Sequence, residues 1–357
     1  MKRFLFAAVA AAMVASCATD EVKEYKRDEL NFYTSVENAT RAEAITTNAF
    51  SAFNVWGFHD GATMMNNLTV TKQADGSWSY GDKYFWPATG SVDFYALAAG
   101  EVGSHTLTNN ITATAPKFTF GGKLATTGAP SDYNMPAAGC ILPATMPDML
   151  YATAIDEVRQ QTDVVMNFRH AISQVEFAVK NNSTLGLEIT FGNYIAIKGV
   201  KYSGTYSLPT TKATSEDFEV AASHGSWSLN AATADHVLKQ QLTSAVTGSA
   251  SNIGQRITGV IIFNGDNLDT ENIVLPQTGT VKVVVPAVIK QNGIVLFDDD
   301  IEFDLDVDWK EGYRYVYTLV LNDDTDLLWA IDFTATVDNI RNGGTDDIRV
   351  PDGTKLN

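Results

Sequence analysis

Apolar and polar residues alternate with a period of two along much of this chain, and the i, i+3, i+4, i+7 spacing of an amphipathic helix is scarce. In residues 29–36, Leu30, Phe32, Thr34 and Val36 fall on one side and Asn31, Tyr33 and Ser35 on the other, the pattern of a half-buried strand. The same alternation predicts strands at 48–58, 68–72, 77–80, 92–97, 149–152, 164–168 and 174–179. In the second half it predicts them at 187–191, 194–199, 259–263, 281–285, 301–307, 313–321 and 327–337. The segment WSYGDKYFW reads as a hairpin turning at Gly81-Asp82 with aromatic flanks. Two stretches read differently: residues 167–172 as a helical turn and 231–242 as one short helix. Residues 121–148 carry Pro130, Pro136, Pro143 and Pro147 and read as loop, as do 209–217 and 243–254. Short strands set apart by turn residues imply an all-β chain of two sandwich-type domains.

The start of the chain follows another logic. Lys2 and Arg3 precede a run of small and apolar residues from Phe4 to Ala15, which ends in Val14-Ala15-Ser16-Cys17. That is a secretory signal closing on a lipobox. The run is shorter than the roughly 20 residues a membrane-spanning helix needs. Cys17 is therefore read as a lipidated N-terminus, against the plainer alternative of a signal peptide with a cysteine nearby by chance. This divides the chain into a signal (1–17), a polar tether with the first strand (18–41), an N-terminal sandwich (42–166) and a C-terminal sandwich (167–357).

Charge and cysteine content narrow the function. The net charge of −17 becomes −19 once the cations Lys2 and Arg3 leave with the signal. Such a surface repels nucleic acid and anionic headgroups, so no nucleic-acid partner is expected. The chain has two cysteines; if Cys17 carries lipid, Cys140 has no partner for a disulfide. Stability then rests on buried apolar area, which a 45% hydrophobic composition supplies.

Catalytic and metal chemistry find little support. The five histidines, His59, His105, His170, His224 and His236, stand in none of the ligand spacings of known metal motifs. His170 lies among apolar residues and reads as a hydrogen-bonded structural group. No nucleophile elbow, Walker loop or dinucleotide fingerprint appears. Cys140 lacks basic neighbours and reads as an ordinary buried thiol. No metal and no cofactor are expected. The acidic run 298–308 invites a cation, but an EF-hand loop from Asp304 needs Gly where Trp309 stands and Glu where Tyr315 stands. Alternation explains the run more simply, with Ile301, Phe303, Leu305 and Val307 inward and Glu302, Asp304, Asp306 and Asp308 in water.

Arg41 stands in a small, polar stretch between two predicted strands. A cut between Arg41 and Ala42 separates the lipid and the strand carrying Leu30, Phe32, Thr34 and Val36 from the rest.

The chain resembles the fimbrillin family, the lipoprotein pilins of Bacteroidales that build type V pili. The resemblance covers most of the chain. It rests on Lys83-Tyr84-Phe85-Trp86-Pro87 before Val92-Asp93-Phe94-Tyr95-Ala96-Leu97-Ala98, and on Asp148-Met149-Leu150-Tyr151-Ala152 before residues 165–175 (VMNFRHAISQV). Ile273-Val274-Leu275-Pro276-Gln277 and residues 309–319 (WKEGYRYVYTL) follow in the family's order. It implies two transthyretin-like β-sandwich domains with Greek-key-type connections, and no enzyme activity. It implies a lipid anchor in the outer membrane through Cys17 and an arginine-specific protease cutting at Arg41-Ala42. Loss of the strand at 30–36 then opens a groove filled by a strand of another pilin subunit, in a homo- or hetero-polymer that adheres to an unidentified host or bacterial ligand. The donor is expected in residues 327–337, with a polar tail beyond it, unless the subunit caps a tip. Lys26-Arg27 offers a competing cut that frees the lipid without opening a groove.

Two other classes remain open. A surface glycan-binding lipoprotein would stack sugars on Trp78, Trp86 or Trp227. A hydrolase would need clustered carboxylates in a cleft.

Overall fold

The computed structural model describes residues 29–36, 51–99, 102, 104–126, 139–141, 146–160, 162–212, 224–240, 242, 244–248, 255–257, 272–322, 331–339 and 345–348. Cys17, Lys26-Arg27, Arg41, Ala42 and the strand predicted at 259–263 lie outside them. The described residues are all β.

The first half of the chain holds β1 (Phe32–Val36), β2 (Ala52–His59), β3 (Ala62–Lys72), β4 (Trp78–Ser79), β5 (Val92–Ala99), β6 (Thr106–Asn110), β7 (Lys117–Gly121), β8 (Met149–Glu157) and β9 (Val164–His170). Then come β10 (Ser173–Asn181), β11 (Leu187–Phe191), β12 (Tyr194–Lys201), β13 (Ser203–Ser207), β14 (Ser226–Leu229), β15 (Thr233–Lys239), β16 (Val246–Thr247) and β17 (Gln255–Arg256). The last are β18 (Ile273–Val274), β19 (Thr278–Gln291), β20 (Ile294–Asp308), β21 (Tyr313–Leu321), β22 (Ile331–Asn339) and β23 (Thr345–Ile348).

A seven-stranded sheet runs β1-β9-β8-β5-β2-β3-β4. Asp60 and Gly61, both with positive φ (47° and 79°), close the β2–β3 hairpin, the conformation that matches strand twist in a two-residue turn. One face of this sheet buries Leu30, Phe32, Phe53, Phe94, Met166 and Phe168 in a single apolar cluster. A second sheet runs β17-β10-β21-β22-β23, and a third runs β15-β12-β19-β11-β16 with β20 paired to β19. Asn292 and Gly293 (φ 48° and 81°) turn the long β19–β20 hairpin. The fourth sheet, β14-β13-β7-β6, takes strands from both halves of the chain. The second and third sheets face each other over a core that includes Phe177, Ile197, Val283, Phe303 and Tyr317, the sandwich arrangement in which alternate residues of both sheets interdigitate.

The alternation does not predict the strands of the four-stranded sheet (β6, β7, β13, β14) or β16, which lies in the segment read as loop at 243–254, and three further readings are overturned. Within the predicted helix at 231–242 the described residues are strand instead: β15 occupies 233–239 and pairs antiparallel with β12, Leu238 opposite Ile195. The backbone groups of β12 supply partners that override the segment's weak helical preference. Residues 167–170 continue β9 rather than coil into a helical turn, and only Ala171-Ile172 separate β9 from β10. The boundary set at 166/167 falls within β9. Finally, the aromatic flanks of Gly81-Asp82 do not pair with each other. Trp78 pairs with Lys72 of β3, while Phe85 bridges Glu29 ahead of β1.

Candidate functional site

The first strand lies at the edge of its sheet. β1 pairs parallel with β9, from Phe32 opposite Val164 to Val36 opposite Phe168. Leu30, Phe32 and Thr34 are buried, while Tyr33 between them is 57% exposed, as alternation requires. Phe32 meets Phe53, Tyr80 and Phe94 edge to face at 6.1, 5.8 and 5.6 Å. Backbone bonds hold the strand's beginning: Leu30 N–H donates to Tyr84 O at 2.9 Å, and Val164 N–H to Asn31 O at 2.8 Å. The Tyr80 hydroxyl donates to Leu30 O; burial, then the nearby Glu29 charge, pushes its pKa up to about 12, so it stays a donor. Lys83 pairs with Glu29 at 2.7 Å. The 84–86 segment thus closes over the entrance of β1, which links an aromatic motif of the sequence to the first strand. β1 ends at Val36 and β2 begins at Ala52, so Arg41 and Ala42 fall between them in the sequence.

A second polar centre lies where the sheets meet. Glu311, in the turn between β20 and β21, accepts from Tyr206 Oη at 2.7 Å through Oε2, and through Oε1 from Tyr151 Oη at 3.2 Å and His224 Nδ1 at 3.0 Å. Gly225 N–H donates to both tyrosine oxygens, at 3.3 and 3.1 Å. Burial raises both tyrosines well above their ordinary range, with the Glu311 charge adding to the effect; both remain protonated donors to the carboxylate. Beside it, Trp227 Nε1–H donates to Ala171 O at 2.6 Å and Gly312 N–H to Ile172 O at 2.8 Å. The two-residue passage between β9 and β10 is thereby clamped from two sides. Nothing in the sequence pattern singled out Glu311: one acidic residue in a Lys-Glu-Gly turn carries no signal until its distant tyrosines are placed.

The remaining sequence candidates resolve as follows. His170 is buried and donates from Nδ1 to Asp148 Oδ1 at 2.9 Å, a structural pair. His59 bonds Thr89 O and His105 accepts from Lys123 N–H, each at 2.8 Å. Cys140 is buried, and burial followed by the Asp235 charge raises its thiol pKa, which opposes thiolate reactivity. The inward residues of β20 are buried and its acidic residues exposed. Lys282 lies 3.7 Å from Glu302 and 3.5 Å from Asp304, and Thr280 donates to Asp306 at 2.6 Å. These carboxylates face lysines across the strands rather than converge, and no cluster that could hold a metal occurs among the described residues. Trp86 is buried against Phe94 and cannot stack a sugar. Trp78 is half-buried, edge to face with Phe53.

Comparison with protein families matches residues 40–339 to the fimbrillin-like family. The chain belongs to that family. Membership places this fimbrillin-like chain among pilus-type adhesion subunits, a class that is structural rather than catalytic. Residues 1–18, which include Cys17, match a prokaryotic membrane lipoprotein lipid attachment site, so the fimbrillin-like chain is a membrane-anchored lipoprotein type. Among solved structures it is similar to a fimbrial protein from Bacteroides vulgatus, at 18% identity and TM-score 0.53, covering 87% of this chain and 98% of that one. It is also similar to a putative cell adhesion protein from Bacteroides uniformis (14% identity, 88% and 98% covered, TM-score 0.43) and to one from Bacteroides ovatus (14%, 91% and 99%, 0.41). Comparison by sequence with curated proteins returns no match.

Proposed function

We propose that this fimbrillin-like chain is a non-enzymatic subunit of a surface fimbrium. In this reading Cys17 is acylated and anchors the precursor to the outer membrane, and an arginine-specific protease releases it by cutting between Arg41 and Ala42. The observation that carries the proposal is the position of β1. It is the first strand, it lies at a sheet edge, and its backbone joins the rest only through the connection that holds Arg41.

A cut there leaves β1 held by non-covalent contacts alone. Those contacts are substantial, since full burial of an aromatic or aliphatic side chain contributes about 1.5–3 kcal/mol. They are also finite and local. The Thr34 hydroxyl is buried with no hydrogen-bond partner among the described residues, which weakens the strand's hold by about 1–3 kcal/mol. Departure of β1 uncovers the edge of β9 and a slot lined by Phe53 and Phe94, and a strand from a second subunit satisfies both at once.

A cut at Lys26-Arg27 has a different consequence, because β1 stays in its sheet. The C-terminal donor candidate is engaged within its own chain: β22 pairs with β21 over nine residues, from Leu321–Ile331 to Tyr313–Asn339. Donation of that strand therefore requires this pairing to open.

The test is digestion of the purified full-length lipoprotein with an arginine-specific protease. The expected result is a new N-terminus at Ala42 followed by a ladder of multimers, with Arg41→Ala abolishing both. Cleavage at Arg41 that leaves only monomers, or multimers formed equally by Arg41→Ala, overturns the proposal.

A further inference from the structure

A cavity of about 700 Å³ opens beside Glu311, on a wall that the strand-exchange reading does not use. Its volume is in the range of small-molecule sites, which combine aromatic lining with a few fixed polar groups. Trp227 of β14 and Tyr313 of β21 line it, both half-buried, with Trp309 buried behind. The walls are held by bonds that do not involve the cavity's own space. Gln277 accepts from Lys201 N–H at 3.0 Å and donates to Lys201 O at 3.3 Å, while its own carbonyl accepts from Trp309 N–H at 2.9 Å. Trp309 Nε1–H donates to Tyr317 Oη at 2.9 Å. The site is therefore preformed, which lowers the ordering cost of binding.

Its electrostatics select a charge. The Glu311 carboxylate already accepts from Tyr151, Tyr206 and His224. Lys310 lies 3.7 Å from Asp308. Lys201 also lines the cavity, and its ammonium has no ion-pair partner among the described residues. Glu311 lines the same cavity and keeps its negative charge, but its oxygens are taken up by three donors. Lys201, which is in no ion pair among the described residues, is therefore the group left to meet an anion that carries an apolar face toward the aromatic side chains. Ser226 and Thr278 are exposed at the rim and add hydroxyls that exchange hydrogen bonds with a polyol.

We propose that this cavity binds an acidic sugar: a pyranose stacks on Trp227 and Tyr313 while its carboxylate pairs with Lys201. A pyranose offers an apolar C–H face to an aromatic ring and hydroxyls to the rim, and a carboxylate answers the ammonium. The inference concerns the uncut subunit and stands apart from strand exchange, so failure of one leaves the other intact.

Saturation-transfer NMR on the purified full-length lipoprotein tests it, with N-acetylneuraminic acid, glucuronic acid, glucose and an acetylated Asp-Glu dipeptide as probes. The acidic sugars are expected to receive saturation on their ring protons and to bind about tenfold more tightly than glucose, equivalent to about 1.4 kcal/mol. Lys201→Gln retains most of the stem and is expected to bring them down to the glucose level with the melting temperature unchanged. Tyr313→Ala weakens all the sugars, and Trp78→Ala, remote from the cavity, weakens none. Absence of saturation transfer from both acidic sugars at millimolar concentration overturns the proposal. So does equal binding of glucose, equal binding of the dipeptide, or a Lys201→Gln variant that binds acidic sugars as well as the parent.

Discussion

Phe32 of β1 meets Phe94 of β5 edge to face, with ring centroids 5.6 Å apart and planes at 87°. The contact ties an edge strand to the middle of the sheet, because β5 stands between β8 and β2. Phe32→Ala removes this ring and its contacts with Phe53 and Tyr80, and is expected to destabilise the chain by about 3–5 kcal/mol. Tyr33→Ala, one residue along and exposed, is expected to change stability by less than about 0.5 kcal/mol. Urea denaturation followed by tryptophan fluorescence measures both. Similar losses from the two variants would mean that β1 is not seated through its inner face.

That contrast could be read from the alternation of Leu30, Phe32 and Thr34 alone. The same is true of β20, where Ile301, Phe303, Leu305 and Val307 are buried between exposed acids. In both, one face meets a core and the other meets water, so local pattern and tertiary environment agree. The four-stranded sheet was not legible. β7 (KFTFG) and β13 (SGTYS) are five residues each, and their pairing joins Phe118 to Tyr206 across a long span of chain. Short strands rich in Gly, Ser and Thr acquire their identity from partners rather than from period. The Glu311 centre failed to show for the same reason: its donors come from β8, β13 and the approach to β14. Trp86 misled in the other direction, since a residue read as a possible sugar platform proved to be core.

Glu311 gathers three side-chain donors, so its removal is expected to cost more than a single hydrogen bond. Glu311→Ala leaves Tyr151, Tyr206 and His224 facing an acceptor that is gone, and a loss of about 2–4 kcal/mol is expected. Glu311→Gln retains one carbonyl oxygen as acceptor and is expected to lose about half as much. Thermal melts of the two variants check the order. A Glu311→Ala melt indistinguishable from the parent would show that the turn closes without its carboxylate.

The acidic face of β20 is expected to ignore calcium. Glu302 and Asp304 are paired with Lys282, and Lys198 lies 3.7 Å from Glu302. Oxygen ligands for calcium must converge on one point, whereas these side chains line up along a strand. Addition of millimolar calcium is expected to leave the melting temperature unchanged, and Asp304→Asn to shift stability by less than about 1 kcal/mol. Differential scanning fluorimetry with and without calcium checks this. Stabilisation by calcium that Asp304→Asn removes would establish a cation site.

Alkaline pH is expected to unfold the chain through its buried tyrosines. Burial pushes Tyr95 and Tyr317 up to about 12 from an ordinary value of 10.0, ahead of the nearby Asp93 and Asp156 charges in one case and Asp308 in the other. In the unfolded chain both release their protons near pH 10. Between that pH and about 12 the folded state therefore binds more protons than the unfolded one, and stability falls as pH rises. Below pH 10 these groups contribute no pH dependence, because both states keep them protonated. Tyr151 and Tyr206 shift in the same direction through burial and steepen the loss. Absorbance at the tyrosinate band, recorded with circular dichroism across this window, checks the sign: the buried tyrosines ionise together with the loss of β signal. Ionisation near pH 10 with the fold intact would mean that water reaches these hydroxyls in the native state. Tyr317→Phe, which loses the bond from Trp309 but also the titrating group, is expected to move the alkaline transition upward while lowering stability at neutral pH by about 1 kcal/mol.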